Sequence, residues 1–181
     1  PGVNPRHPHL THITLEGFAA TDESGALDEA APPCDVHGHG TAVAAAVFRG
    51  VQRGRLLCIR VLDARLTGHH HLLADAILLA ARRGARLINV SMGTSDAAAG
   101  LRLAEAVRFA QAGGAIVVAA VPPAGRGWPA DLPGVLGAVA DPACPPDRAY
   151  PVDPDRGLPA APECALLRYR AHSDAIPPGG A

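Results

Sequence analysis

The residues best suited to chemistry lie in one stretch, Asp35-Val36-His37-Gly38-His39-Gly40-Thr41-Ala42-Val43-Ala44. A histidine held between glycines, then a small hydroxyl residue, then an Ala/Val run, reads as a reactive imidazole at the start of a buried helix. Glycines permit close backbone approach and unusual dihedrals, and the small apolar residues from Thr41 to Val47 let the helix enter a core. At a helix N-terminus the dipole disfavours imidazolium, so the ring stays neutral and able to accept a proton. That is the chemistry of a general base. The competing reading is structural, since most single histidines serve packing or the surface, and the stretch alone does not decide.

The other candidate clusters are weaker. Cys34 with His37 and His39 offers metal-ligand types, yet no second pair with zinc-like spacing stands nearby. His69-His70-His71 reads as a solvated loop, because adjacent histidines do not share a helix face. Cys58 lies in an apolar strand pattern and reads as a buried thiol. Cys144 and Cys164 flank a Pro-rich segment and can pair in an oxidising compartment.

The elements that must position these groups can be read from periodicity. Residues 1–12 read as a loop, with a short strand at 11–15 and an exposed connection over 19–38. A helix over 39–48 ends at Gly50. Residues 55–62 form a near-continuous apolar strand, the pattern of a sheet covered on both faces. Leu73, Ile77, Ala80 and Ala81 mark a helix over 72–83 capped by Gly84. A buried strand over 86–93 breaks at small residues. Leu101, Ala104, Val107 and Phe109 mark a helix over 97–112 closed by Gly113-Gly114, and further strands stand at 115–121 and 134–139. Alternating apolar strands and helices mean an α/β fold, a parallel sheet covered by helices in three layers. Ligands in such sheets sit at the carboxyl ends of the strands. Ser91-Met92-Gly93 and Pro122-Pro123-Ala124-Gly125 occupy such ends. Residues 142–181 are irregular and Pro-rich, with a strand at 165–169. The whole reads as one domain over 1–181, with no internal repeat.

Composition bounds the rest. The 181 residues are 48% hydrophobic and 18% charged, which is globular rather than disordered. Aromatics are only 3%, so Ala, Val, Leu and Ile must build the core, and small residues suit close helix–sheet packing. A formal net charge of −1 gives no electrostatic reason to expect nucleic acid or an anionic membrane as partner. No apolar run reaches a membrane span. The start, Pro1-Gly2-Val3-Asn4-Pro5, has neither the features of a signal peptide nor a methionine, so a processed or trimmed chain is expected.

The order of these elements and their loop residues resembles the catalytic domain of subtilisin-like serine proteases, the subtilases. Asp35-x-x-Gly38-His39-Gly40-Thr41-x-Val43-Ala44 is similar to the family's histidine motif, with His39 as general base. Val61-Leu62, Gly68 and then Ile88-Asn89-Val90-Ser91-Met92-Gly93 resemble the next block, whose Ser-x-Gly backbone lines the substrate cleft. Val117-Val118-Ala119-Ala120, with Trp128-Pro129-Ala130-x-x-Pro133-Gly134-Val135 after a loop, resembles the third block. Gly2-Val3-x-x-x-His7-Pro8-x-Leu10 resembles the segment immediately after the family's catalytic Asp-Ser/Thr-Gly. The resemblance implies peptide-bond hydrolysis by a Ser-His-Asp triad, His39 taking the serine proton and returning it to the leaving amine. It implies an extended peptide or protein substrate bound along Ser91, Met92 and Gly93 by strand addition. It implies no catalytic cofactor; structural calcium belongs to the family, but nothing in this sequence indicates it. Asp35 stands too close to His39 in sequence to be the triad acid, and its expected role is a loop or helix N-terminal charge.

Three departures bear on activity. By the family pattern the triad aspartate would lie just before Pro1, and it is not among these residues. The nucleophile block is also missing, for Ser91, Ser95 and Ser173 all lie in other contexts. Truncation at both ends is the common explanation. The oxyanion-hole asparagine falls on or beside Pro123, which has neither a side-chain donor nor an N–H. Losing one such donor costs about 10²–10³ in kcat, unless Arg126 supplies another. The motif's usual second histidine is Ala42. Two readings stand: a serine endopeptidase domain of which only His39 of the triad is present, or a catalytically deficient subtilase-like module that binds peptides within a peptide-processing system. An unrelated α/β ligand-binding domain is disfavoured, as no glycine-rich phosphate fingerprint comes after a strand.

Overall fold

The structure is a computed structural model that describes residues 2–20, 27–28, 34–63, 65–122, 127–140, 149–151 and 165–169. Its chain forms two compact units, which meet in sequence at Leu72 and Leu73. In both units parallel strands alternate with helices, the α/β class expected from the pattern.

The first unit holds β1 (Ile13–Ala20), β2 (Leu27–Asp28), α1 (His39–Val47) and β3 (Gly54–Arg60), with one 3₁₀ turn at Pro8–Leu10. Its sheet runs β2-β1-β3. β1 and β3 are parallel, from Ile13 opposite Gly54 to Ala19 opposite Arg60, while β2 pairs antiparallel to the end of β1. Val3, Leu10, Ile13, Ala44 and Cys58 make the core, and Leu15, Phe48 and Leu56 pack against it. Phe48 lies directly on Gly54, where a side chain would collide with its ring. β1 is longer than the short strand read at 11–15, and β2 falls in the segment read as an exposed connection. Within β3 only Cys58 is fully buried, so this strand does not have both faces covered among the described residues.

The second unit holds most of α2 (His70–Arg82), then β4 (Leu87–Val90), α3 (Ala97–Ala112), β5 (Ile116–Ala120), β6 (Leu136–Ala140), β7 (Ala149–Pro151) and β8 (Ala165–Tyr169). The sheet order is β4-β5-β6-β8-β7, parallel except for the β7–β8 pair. α2 buries Leu73, Ala74, Ala76, Ile77 and Ala80. It begins two residues before the expected start, so His70 and His71 belong to its first turn rather than to a loop. A helix's first turn lacks internal partners for its N–H groups and needs no apolar residue. The helix ends where expected, with Gly84 N and Ala85 N donating to the carbonyls of Ala81 and Ala80.

α3 has the predicted bounds, but of the predicted face (Leu101, Ala104, Val107 and Phe109) only Val107 is fully buried. Asp96 caps it by accepting from Ala98 N at 2.9 Å, and Gly114 closes it in the left-handed region at φ +81°, where glycine carries no Cβ penalty. The buried stripe is Ala99, Gly100, Leu103, Ala106, Val107 and Ala110, whereas Leu101 is 71% and Phe109 48% exposed. Alanine and glycine let α3 approach β5 closely, and large apolar size is a poor guide to burial in such a core. Phe109 instead lies 5.8 Å beneath the guanidinium of Arg82, and Arg102 pairs with Asp75 at 2.8 Å. Alternation is clear in the sheet. Ile88, Val90, Val117 and Ala119 are buried, while their neighbours Leu87 and Ile116, opposite each other in register, are both 53% exposed.

Candidate active site

In the first unit, His39 is the first residue of α1 and is exposed. Gly38 precedes it as the cap residue at φ +76°, a left-handed turn that swings the chain into the helix. Glycine has no side chain with which to cap. Asp35 does this work from three residues upstream. Its Oδ1 accepts from Gly38 N at 2.9 Å and His37 N at 3.2 Å, and its Oδ2 accepts from Thr41 N at 2.8 Å and the Thr41 hydroxyl at 2.6 Å. Burial works to raise the Asp35 carboxyl, yet the bonds from the Thr41 hydroxyl and the three amides outweigh it and hold the group below its ordinary 3.8. Asp35 is thus the helix N-terminal charge that its position suggested.

Thr41 is the one polar side chain fully buried among the described residues. Its hydroxyl also accepts from Asn4 N at 2.9 Å, which fastens the entering chain to α1. Neither Thr41 as the partner of Asp35 nor Asn4 as the partner of Thr41 was evident from sequence. The only available signal was a cap position held by glycine, which obliges another residue to accept the first N–H groups. The helix is less buried than its composition suggests: Thr41 and Ala44 are covered, but Ala46 and Val47 face outward. His37 is exposed beside its neighbour. Among the described residues no group of three or more His, Cys, Asp or Glu is arranged to hold a metal ion. The rings of His69 and His71 stack 5.3 Å apart. Cys58 is a buried free thiol pushed up to about 11, chiefly by desolvation, and Cys34 is free and exposed.

In the second unit, Ser91, Met92 and Gly93 leave the end of β4, the edge strand of its sheet. Ser91 and Gly93 are exposed, and the backbone groups of the three residues take no hydrogen bond among the described residues. The Ser91 hydroxyl receives the Asn89 amide at 2.8 Å. Beside them, Thr94 and Trp128 exchange two backbone hydrogen bonds of 2.9 Å. Gly127 N donates to Asp131 Oδ2 at 2.9 Å, and the Trp128–Pro129 peptide is cis. A side chain at Gly93 would come within 3.0 Å of the Trp128 carbonyl, and one at Gly100 within 3.1 Å of the indole. Both glycines therefore let the Trp128 segment lie close, against the strand end on one side and α3 on the other. Ser95 is exposed. Pro123, Arg126, Ser173, Cys144 and Cys164 lie outside the described residues.

Comparison with known proteins agrees with this organisation. The family model described as the subtilase family matches residues 1–136. Thermitase from Thermoactinomyces vulgaris is 32% identical over 138 residues, covering 71% of this chain and 47% of thermitase. Sphericase superposes with a TM-score of 0.66 at 25% identity, covering 84% of this chain and 55% of that one. The prenylagaramide maturation protease PagA does so with a TM-score of 0.61 at 27% identity, covering 77% and 50%. The chain thus spans about half the length of these relatives. Its strands and helices adopt the subtilisin-like α/β fold, and by the extent of the family match the chain belongs to the subtilases, a family of serine proteases.

Proposed function

We propose that these residues are about half of one subtilase peptidase domain, in which His39 is the general base and Ser91-Met92-Gly93 is the edge that pairs with an extended peptide substrate. The observation that carries this is the exposed imidazole at the first residue of α1, inside the matched region and on a helix start capped from outside. The unpartnered backbone of Ser91 to Gly93 at a sheet edge supports the second half, since main-chain pairing binds peptides with little demand on their side chains. In hydrolysis His39 removes the proton of a serine hydroxyl as it attacks the carbonyl, then returns that proton to the leaving amine. Of the triad, these 181 residues contribute His39 alone. Pro123 at the oxyanion position favours a second reading, a catalytically deficient subtilase that binds peptides in a processing system. PagA, a maturation protease by its description, supports a peptide substrate in either case.

The test is a chimera in which the chain replaces its matched region of thermitase and takes thermitase's flanking residues. A fluorophosphonate should label the chimera, the label should vanish in His39→Ala, and the 181-residue chain alone should take none. A folded chimera that stays unlabelled but still binds a blocked tetrapeptide would establish the second reading. Label surviving His39→Ala, or labelling of the chain alone, would overturn the assignment of the base.

A further inference from the structure

We infer that Asp35 is a positioning residue for His39, locking the base-bearing helix to the entering chain at Asn4 through the hydroxyl of Thr41. This rests on His39 being the base, and it adds a residue that touches neither substrate nor reacting atoms. The geometry leaves little choice of proton positions. Asn4 N can only donate, so the Thr41 hydroxyl must accept from it at 2.9 Å, and its single proton must point to Asp35 Oδ2 at 2.6 Å. The two Asp35 oxygens together face three backbone N–H groups and one hydroxyl proton, all donors. Only a carboxylate satisfies that set. An asparagine would aim its own N–H₂ at donors in either orientation, at Thr41 or at His37 and Gly38.

The consequence reaches beyond a cap. His39 lies between the two arms, one residue after Gly38 and two before Thr41, so the same carboxylate holds backbone amides on either side of it. Through Thr41 that carboxylate also fixes Asn4, 37 residues away from Thr41 in sequence. The base and the entering segment therefore move as one body. Chemistry requires this wherever a partner group is carried by the chain that leads into Asn4, because a misplacement of about 1 Å costs about 10²-fold in rate.

The test uses the 181-residue chain and NMR. Asp35→Asn and Thr41→Val should each speed hydrogen exchange at the Asn4 amide by about tenfold or more and split or broaden the His39 imidazole cross peaks. Thr41→Ser keeps the hydroxyl and should restore both. Ala44→Gly, which loosens the same core without touching these bonds, controls for general destabilisation. Unchanged Asn4 exchange and His39 signals in Asp35→Asn and Thr41→Val, or equal changes in Ala44→Gly, would overturn the inference. Should Asp35→Asn fail to fold, the Thr41→Val and Thr41→Ser pair decides alone. No readout depends on turnover, so an inactive chimera would refute the peptidase reading while leaving this result to stand or fall separately.

Discussion

At the scale of the residue, Asp35 links acidity to structure. A carboxylate held below its ordinary 3.8 contributes stability that is complete above its unfolded value and is lost as the pH falls through its lower folded value. Protonation puts a hydrogen on a carboxyl whose two oxygens face only donors, His37 N and Gly38 N on one and Thr41 N and its hydroxyl on the other. Asp35→Ala should therefore cost the first unit about 1–2 kcal/mol near neutral pH, in the range of a lost helix cap. In denaturant titrations the gap between wild type and variant should narrow once the pH drops below 3.8, and a gap unchanged at about pH 2 would contradict the assignment. The helix start at His39 was legible from the glycines around it. The bonds that hold it were not, because Asp35 reaches six residues along the chain to Thr41 and Thr41 reaches back to Asn4. Such partners meet only once the fold exists.

At the scale of the element, α3 tests which face is the core. Leu103 is fully buried, and Leu103→Ala should cost about 2–5 kcal/mol. Leu101→Ala, at a residue 71% exposed, should stay within about 0.5 kcal/mol. Equal effects of the two in denaturant titrations would restore the face read from the large apolar residues. That reading failed for a definite reason. Helical spacing places both 103/106/107/110 and 101/104/107 on plausible stripes, and half of the true stripe is alanine, whose weak hydrophobic signal hides how closely it packs. Element existence was easier to read: α3 and β8 have the bounds expected, as continuous periodic runs between glycines or prolines should. The unexpected β2 and β7 are short pieces of two and three residues, held by a neighbouring strand rather than by any local pattern.

At the scale of the whole molecule, burial is unevenly divided. The first unit's core is Val3, Leu10, Ile13, Ala44 and Cys58, while the second buries most of α2, one face of α3 and alternate residues of β4 and β5. Local stability tracks buried apolar contact. Hydrogen exchange measured by mass spectrometry should therefore show β1 and β3 amides exchanging before those of α3 and β5 as denaturant rises. The reverse order, or one shared transition, would mean that the division into two units has no energetic counterpart. The α/β class could be read from sequence because apolar strand runs and helical spacing alternate along the chain. The grouping of strands into two sheets could not, because it depends on which edges find a partner.

One detail of the second unit has a practical side. Trp128 is the single tryptophan of the chain, and its carbonyl neighbours Gly93 while its indole rests against Gly100. The protein's only strong fluorophore thus stands at the proposed peptide-binding edge, held by backbone bonds to Thr94 at the same strand end. Light emitted by this chain comes from beside the edge it is proposed to use, a native optical probe that needs no label.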